Sequence, residues 1–518
     1  MMPLPQNGST GTVIDNRRRL AAAFTALLAL SAVLYASPRW QFFRTDDLIW
    51  IRALQPKSFW RLLWEQFSQG APQDYRPLMS ICLFLLHRIF GDWAPAFYAV
   101  NLIVHAANAA LVYRVAARFG LSELWGFMAA ILFAVHPAPY QTVLWINDGA
   151  LLLQVHFTLW AVWFLFRYLD TSLWRFYAAS AGAATGAMFI KESGVVAVVL
   201  LPILDLIFRP RFSLTRLKPY LLLLPILVVY LWLSLSFVPG WREHPEVYRF
   251  GAHVLPNTAF TVGFLINTPH SSMSPRFFTT TVLGGLFLLG AFWAFRNRRS
   301  GAFITLWLIL GSFPTALFVR PDGFASTGRY TYSILAPFVF AVAALFQELH
   351  VAIRKTKSRL SAAVILIAVA LLASASFKTS RLAITPYESQ HGPILYHYVV
   401  LDLMDYREAE RFLKVEAGCP SERQLEEAIT WADKLIQGRD SEPHWQLPGF
   451  LIKGVGRAML RQRLEAADEF NQAIDIIQRP GKLELVRGAE VAPARVRKIA
   501  ALWLSSPPLT VCHPSSAR

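Results

Sequence analysis

Apolar runs of membrane-crossing length recur eleven times between Leu20 and Phe377, and this recurrence constrains the chain more than any single motif. A helix rises about 1.5 Å per residue, so roughly 20 apolar residues cross the ~30 Å hydrocarbon layer of a bilayer. The runs fall at 19–37, 95–115, 122–138, 149–169, 174–190, 194–208, 218–238, 277–296, 301–319, 331–350 and 360–377. Within hydrocarbon every backbone N–H and C=O must find a partner inside its own segment, so such runs become helices. The expected fold class is an all-α polytopic membrane protein. The first run has a basic flank, but it is long and lacks a small-x-small cleavage site before further spans follow. It therefore reads as a span and not as a signal peptide. A mean hydropathy of +0.38 lies outside the range of ordinary soluble domains.

The formal net charge of +17 sets the orientation. With a cytoplasmic N-terminus, the inside loops hold Arg17-Arg18-Arg19, Arg114 with Arg118, Arg167 with Arg175, Arg209 with Arg211, Arg296 with Arg298, and Arg354 with Lys355. The short outside loops are nearly bare of cations, with none in 139–148, Lys191 alone in the next, and Arg320 and Arg329 in the last, which is the positive-inside pattern. That pattern accounts for the basic composition without nucleic-acid binding. An odd number of spans then places 378–518 outside the cytoplasm, on the same side as the loop 38–94.

Three shorter apolar pieces belong to that outer face. In 48–70, Phe59, Leu62, Leu63 and Phe67 follow helical spacing with Trp60 and Trp64 beside them, as in an interfacial helix. The run 77–90 opens on Pro77 and contains His87 and Arg88, so it too reads as interfacial. The piece 256–268 is likewise too short to cross. After Phe377 a linker, 378–401, leads to a charged segment, 402–518, with helical spacing. There Gly454, Ala466, Phe470 and Ala473 occupy the small and aromatic positions of one tetratricopeptide repeat or of a plain amphipathic helix pair. Cys82, Cys419 and Cys512 form no metal-binding motif, and Cys419 and Cys512 share the outer tail as potential disulfide partners.

Against this apolar background the outer face gathers polar groups. Asp46 and Asp47 follow the first span in Arg44-Thr45-Asp46-Asp47-Leu48. Arg76 stands in Tyr75-Arg76-Pro77-Leu78, and His136-Pro137 ends the third span. Asp148 closes Trp145-Ile146-Asn147-Asp148, Lys191-Glu192-Ser193 parts the fifth span from the sixth, and Arg329-Tyr330 precedes the tenth. A carboxylate in lipid costs about 3 kcal/mol or more, so acidic groups at a membrane edge are candidates for function. Carboxylates can take up a proton or hold a divalent cation, and Lys and Arg clamp phosphate. Simpler readings stand beside these. The Asp pair opens a solvated loop; Lys191 and Glu192 pair at a helix end; Arg329 snorkels to headgroups; Arg76 touches phospholipid; His136 terminates a helix. His156 reads as hydrogen-bonded inside the bundle, and Gly182 with Gly186 as a small-xxx-small helix-packing pattern.

The succession Thr45-Asp46-Asp47, Tyr75-Arg76-Pro77-Leu78, Phe90-Gly91, Asn101 with His105, Phe133-Ala134-Val135-His136-Pro137, Trp145-Ile146, Lys191-Glu192-Ser193 and Arg329-Tyr330 resembles the GT-C glycosyltransferases. Within them it is most similar to the transmembrane and tetratricopeptide-repeat protein O-mannosyltransferases, over most of 40–350. The resemblance implies a polyprenyl-phosphate sugar donor and chemistry on the lumenal or periplasmic face. It implies Asp46 as the catalytic acidic residue with Asp47 as its partner, and Lys191 and Arg329 as contacts to the donor phosphate. The chain departs from the family after Trp145-Ile146: an Arg of the family's run is absent and the acid is displaced to Asp148.

The expectation is a GT-C-like bundle of eleven spans over 1–377, with outer interfacial helices and a small helical domain at 402–518. It would move a sugar, mannose by the resemblance, from a polyprenyl- or dolichyl-phosphate carrier to a hydroxyl of a protein, glycan or lipid acceptor. Asp46 and Asp47 are the expected catalytic pair, Asp47 also the expected ligand of a divalent cation such as Mg or Mn. Arg76, His136, Asp148, Lys191, Glu192, Arg329 and Tyr330 are the expected substrate contacts. The expected location is a bacterial inner membrane. The alternative is a transporter or flippase of a lipid-linked or anionic substrate, against which the spans lack a matched pair of broken helices.

Overall fold

A computed structural model of the chain describes residues 10–36, 51, 58–68, 75–91, 93–138, 140–209, 214–237, 249–266, 277–317, 325–354, 377 and parts of 426–504. The described residues are helical, with no strand among them. The chain divides into two compact units, a large one made chiefly of Ile49–Pro386 and a small one made chiefly of Tyr387–Arg518.

The large unit runs through α1 (Thr10–Tyr35), α2 (Phe59–Ser68), α3 (Pro77–Phe90), α4 (Ala94–Ala116), α5 (Glu123–Val135), α6 (Tyr140–Leu144), α7 (Gly149–Thr171) and α8 (Trp174–Ile190). It continues through α9 (Val195–Phe208), α10 (Leu223–Phe237), α11 (Val254–Ile266), α12 (Phe277–Trp293), α13 (Arg298–Ala316), α14 (Ala325–Tyr330) and α15 (Tyr332–Arg354). Each of the first ten expected spans overlaps one of these helices; 360–376 lies outside the described residues. Five helical stretches, among them Arg18–Tyr35, Gly149–Thr171 and Tyr332–Ile353, are long and apolar enough to cross a membrane, and shorter apolar helices lie between them. The chain is therefore an integral membrane protein of helical type.

Local chemistry sets where the shorter helices stop. In the run 122–138, α5 ends at Val135 and His136 turns extended, with φ −65° and ψ 131°. The residue before a proline avoids the helical region, and Pro137 imposes that here. At the other extreme α3 keeps its expected bounds: Pro77 starts it, and Gly91 ends it at φ 58°, a left-handed angle that glycine adopts without a Cβ clash.

α2 and α3, the two helices expected to be interfacial, are seated by aromatic contacts. Phe59 of α2 lies 6.4 Å from Phe84 of α3, and Phe67 lies 5.4 Å from Phe189 of α8. Trp60 and Trp64 stay 74% and 71% exposed, so the apolar stripe faces protein while the tryptophans face outward. α11 is the third of the short apolar pieces. It buries most of its length and closes on α12, where a Cβ placed on Gly263 would lie 1.8 Å from the Thr280 carbonyl oxygen and one on Gly284 1.7 Å from that of Ala259. Small residues at such crossings let backbones approach, which makes α11 a packed partner in the bundle. Of the Gly182/Gly186 pattern only the second half packs: Gly186 abuts the Phe157 ring, whereas nothing lies within 4 Å of a Cβ at Gly182.

In the small unit, residues 453–458 and α16 (Arg463–Gln478) are joined through a tight turn at Arg461, whose φ is 66°. Gly454 meets the Phe470 ring, with Ala466 and Ala473 buried beside it, as the repeat-like spacing predicts. Lys453 bridges Asp433 at 2.8 Å and Glu469 at 2.7 Å. Burial alone would lower the Lys453 pKa; the two carboxylates outweigh it and hold the pKa above the ordinary value. Cys419, Cys512 and the linker 378–401 lie outside the described residues.

Candidate active site

Four helix ends of the large unit deliver charged side chains to one place. Arg76 stands immediately before α3 and Asp148 immediately before α7. Lys191 and Glu192 occupy the short turn between α8 and α9, and Arg329 and Tyr330 close α14. Charge is tolerated at such positions because helix ends carry backbone groups that already need polar company.

Arg76 grips Glu192 with two parallel bonds, Nε to Oε2 at 2.8 Å and Nη2 to Oε1 at 3.0 Å. This fork is the strongest ordinary arrangement of a guanidinium on a carboxylate. Lys191, only 2% exposed, places Nζ 3.4 Å from the same carboxylate and 5.7 Å from the centre of the Tyr330 ring. Burial on its own would raise the Glu192 pKa, but the Arg76 and Lys191 cations outweigh it and hold the carboxyl well below the usual range. Glu192 is thus an anion at any physiological pH.

Arg329 forms the second half of the site. Its guanidinium lies 4.8 Å over the Trp145 ring and 5.0 Å over that of Tyr330, and Nη1 is 3.5 Å from Asp148 Oδ2. The Thr142 hydroxyl donates to the Arg329 carbonyl at 3.1 Å, which fixes the backbone below the guanidinium. Three buried polar atoms here, Asp148 Oδ2, Ser193 Oγ and Arg329 Nε, have no hydrogen-bond partner among the described residues. A buried polar atom without a partner costs about 1–3 kcal/mol; Asp148 Oδ2 keeps its ion pair with Arg329, so Ser193 Oγ and Arg329 Nε are the two that mark where a polar ligand would be held.

Of the residues expected from sequence, Arg76, Asp148, Lys191, Glu192, Arg329 and Tyr330 therefore come together. His136 has its ring taken up by backbone contacts. Its Nδ1 accepts from the Ala138 N–H at 3.2 Å, so Nε2 carries the proton and donates to the Leu265 carbonyl at 3.0 Å. Both ring nitrogens are used in tying the end of α5 to α11, which is the helix-terminating role. Asp46 and Asp47 lie outside the described residues. Among those described, no group of three His, Cys, Asp or Glu is placed to hold a metal, and Asp148 and Glu192 are each already turned to a guanidinium.

Sequence reasoning missed four contributors. Trp145 supplies the face beneath Arg329, although it was quoted only as part of a motif. Tyr75, Phe189 and Tyr230 form an aromatic wall, with ring centres 5.4 to 6.3 Å apart, next in sequence to Arg76 and near Lys191. Nothing in the apolar run around Tyr230 distinguishes it from a packing residue.

Fold and site together define a polytopic helical membrane protein that carries a cluster of paired cations and carboxylates at one end of its bundle. Residues 74–234 match the family model of dolichyl-phosphate-mannose-protein mannosyltransferases. The chain is also 25% identical over 228 residues to the mouse (Mus musculus) protein O-mannosyl-transferase TMTC2, covering 41% of this chain and 27% of that one. To Tmtc2 of Drosophila melanogaster it is 28% identical over 246 residues, 44% and 23% of the two chains. The chain thus spans about a quarter of the length of the curated relatives it matches. These similarities are to mannosyltransferases, over a part of the chain. The matched segment holds Arg76, His136, Asp148, Lys191 and Glu192.

Proposed function

We propose that the protein is a membrane glycosyltransferase that moves a sugar, mannose by family, from a polyprenyl- or dolichyl-phosphate carrier to a hydroxyl on an extracytoplasmic protein, glycan or lipid. The observation that carries this reading is the meeting of Arg76, Lys191 and Arg329 beside unpartnered polar atoms, largely within the segment that matches the mannosyltransferase model. Three cations suit a phosphate, and the aromatic wall of Tyr75, Phe189 and Tyr230 suits the apolar chain attached to it.

In the proposed reaction the acceptor oxygen attacks the anomeric carbon and its proton passes to Asp46. The bond between that carbon and the phosphate oxygen breaks, and its electron pair leaves on the lipid phosphate. Lys191 and Arg329 neutralise the charge that grows there. Asp47 orients Asp46 or holds a divalent cation. The assignment of the Asp pair rests on the family resemblance.

Purified full-length protein in nanodiscs should turn over polyprenyl-phosphate mannose in the presence of a peptide or lipid acceptor. Lys191→Ala and Arg329→Ala should each raise the KM for that donor about tenfold while kcat falls less, because each removes a contact made before the chemistry. A wild-type protein that neither binds nor consumes the donor overturns the reading.

The proposal also fixes topology: N-terminus cytoplasmic, 378–518 extracytoplasmic, and the charged site on that outer side. Reporter fusions at Arg118 and at Gly438 should report opposite compartments. The same compartment for both would refute the orientation.

A further inference from the structure

A polar stripe runs along α4 where apolar side chains would be expected. Asn101, His105 and Asn108 stand at i, i+4 and i+7 and so share one helix face. His105 and Asn108 are fully buried and Asn101 nearly so, in the interior of a membrane bundle. None of the three belongs to the charged cluster, yet each reaches an element that frames Arg329.

Asn101 donates to the carbonyl of Trp145 at 3.2 Å, and a Cβ on neighbouring Gly149 would lie 2.6 Å from its Oδ1. It thereby fixes the backbone that presents the Trp145 ring to Arg329. The other two residues fix Tyr332, three positions after Arg329. The proton order of this second group follows from its ends. The Ala134 carbonyl can only accept, so His105 Nε2 donates to it at 3.1 Å, and Nδ1 is left to accept the Tyr332 hydroxyl at 2.9 Å. The Tyr332 oxygen accepts from Asn108 Nδ2 at 3.1 Å, and the same amide donates to the Leu152 carbonyl at 2.9 Å. At the far end the Trp160 indole can only donate, to His156 Nε2 at 3.0 Å, so His156 Nδ1 carries the proton and donates to Asn108 Oδ1 at 2.9 Å. Only one set of tautomers satisfies all the groups, and both histidines are neutral in it.

The chain between Tyr332 and the site is short and tied down. Thr331 Oγ1 donates to the Gly328 carbonyl at 2.6 Å, and Ser333 Oγ to the Tyr330 carbonyl at 2.8 Å. A displacement of Tyr332 is therefore passed to Arg329 and Tyr330 with little slack.

We infer that the Asn101–His105–Asn108 face of α4 is the positioning element of the donor-phosphate site, holding Arg329 between Trp145 and Tyr330 through two separate tethers. The inference rests on the transferase reading for what Arg329 binds, but the placement of Arg329 is testable without it. Both arms use full-length protein in nanodiscs: KM and kcat for polyprenyl-phosphate mannose, and amide hydrogen exchange over residues 325–336. Tyr332→Phe keeps the ring and removes only the hydroxyl. His105→Gln keeps a donor where Nε2 sits, toward Ala134, and loses the acceptor toward Tyr332; His105→Asn keeps that acceptor and loses the donor. Tyr332→Phe and His105→Gln should raise donor KM about fivefold to tenfold with kcat changed less than threefold, and speed exchange over 325–336 at least fivefold. His105→Asn should stay within twofold of wild type in both. A merely structural role for His105 would make the Gln and Asn variants equally poor, and that result overturns the inference. Unchanged exchange in Tyr332→Phe overturns it as well. Should wild-type protein fail to use the donor, the transferase reading falls, and the exchange pattern alone decides this one.

Discussion

Exchanging Asp46 for Asn should cut sugar transfer by about 10²-fold or more while donor binding survives. The amide nearly matches the carboxylate in volume and hydrogen-bond reach but takes up no proton at neutral pH, so only the chemical step suffers. Steady-state kcat beside a separate donor-binding measurement checks the split. Asp47→Asn should act more weakly, or by shifting the dependence on an added divalent cation, as expected of an orienting partner. Full activity in Asp46→Asn would remove the assignment and turn the search to Asp148 and Glu192. Of these, Glu192 is a poorer base than an ordinary carboxylate, because Arg76 forks it.

The largest effect on folding is expected from Gly284→Val. A Cβ there would sit 1.7 Å from the Ala259 carbonyl oxygen, and the opposing atom is backbone, so no rotamer change relieves the clash. α11 and α12 must separate, undoing contacts such as the stacking of Phe260 on Phe277 at 5.1 Å. Overpacking of a core typically costs about 1–3 kcal/mol, and a clash against backbone belongs at or above the upper end. Loss of the monodisperse peak in detergent, or a fall of many degrees in the melting temperature, would show it. Gly285→Val on the next residue, where nothing lies within 4 Å, is the matched control and should be tolerated.

The sequence disclosed the fold through physics that acts locally. Hydrocarbon thickness makes spans legible from apolar length alone, and Pro77 with Gly91 marked both ends of α3. What α11 packs on was not legible, because length says only whether a piece can cross; the Gly263 and Gly284 crossing pairs residues 21 apart in sequence. The charged site was largely legible, since ionisable residues are rare in such a chain and each stands out. Trp145 and Tyr230 were not, because an aromatic residue in an apolar run looks the same whether it faces lipid, core or ligand. The bonds of the His136 ring to Ala138 and Leu265 were not legible, because Leu265 is far away in sequence.

The carboxylates facing the cations give the site a further property. On the proposed chemistry the phosphate arrives with one negative charge and departs, as a lipid monophosphate, with up to two. A pocket of bare arginine and lysine would hold that product more tightly than the substrate and stall after one turnover. Here Glu192 and Asp148 stand ready to reclaim Arg76, Lys191 and Arg329 as the leaving group withdraws. On that proposal the site would exchange anions: an entering phosphate would draw the cations from Glu192 and Asp148, and a departing one would return them.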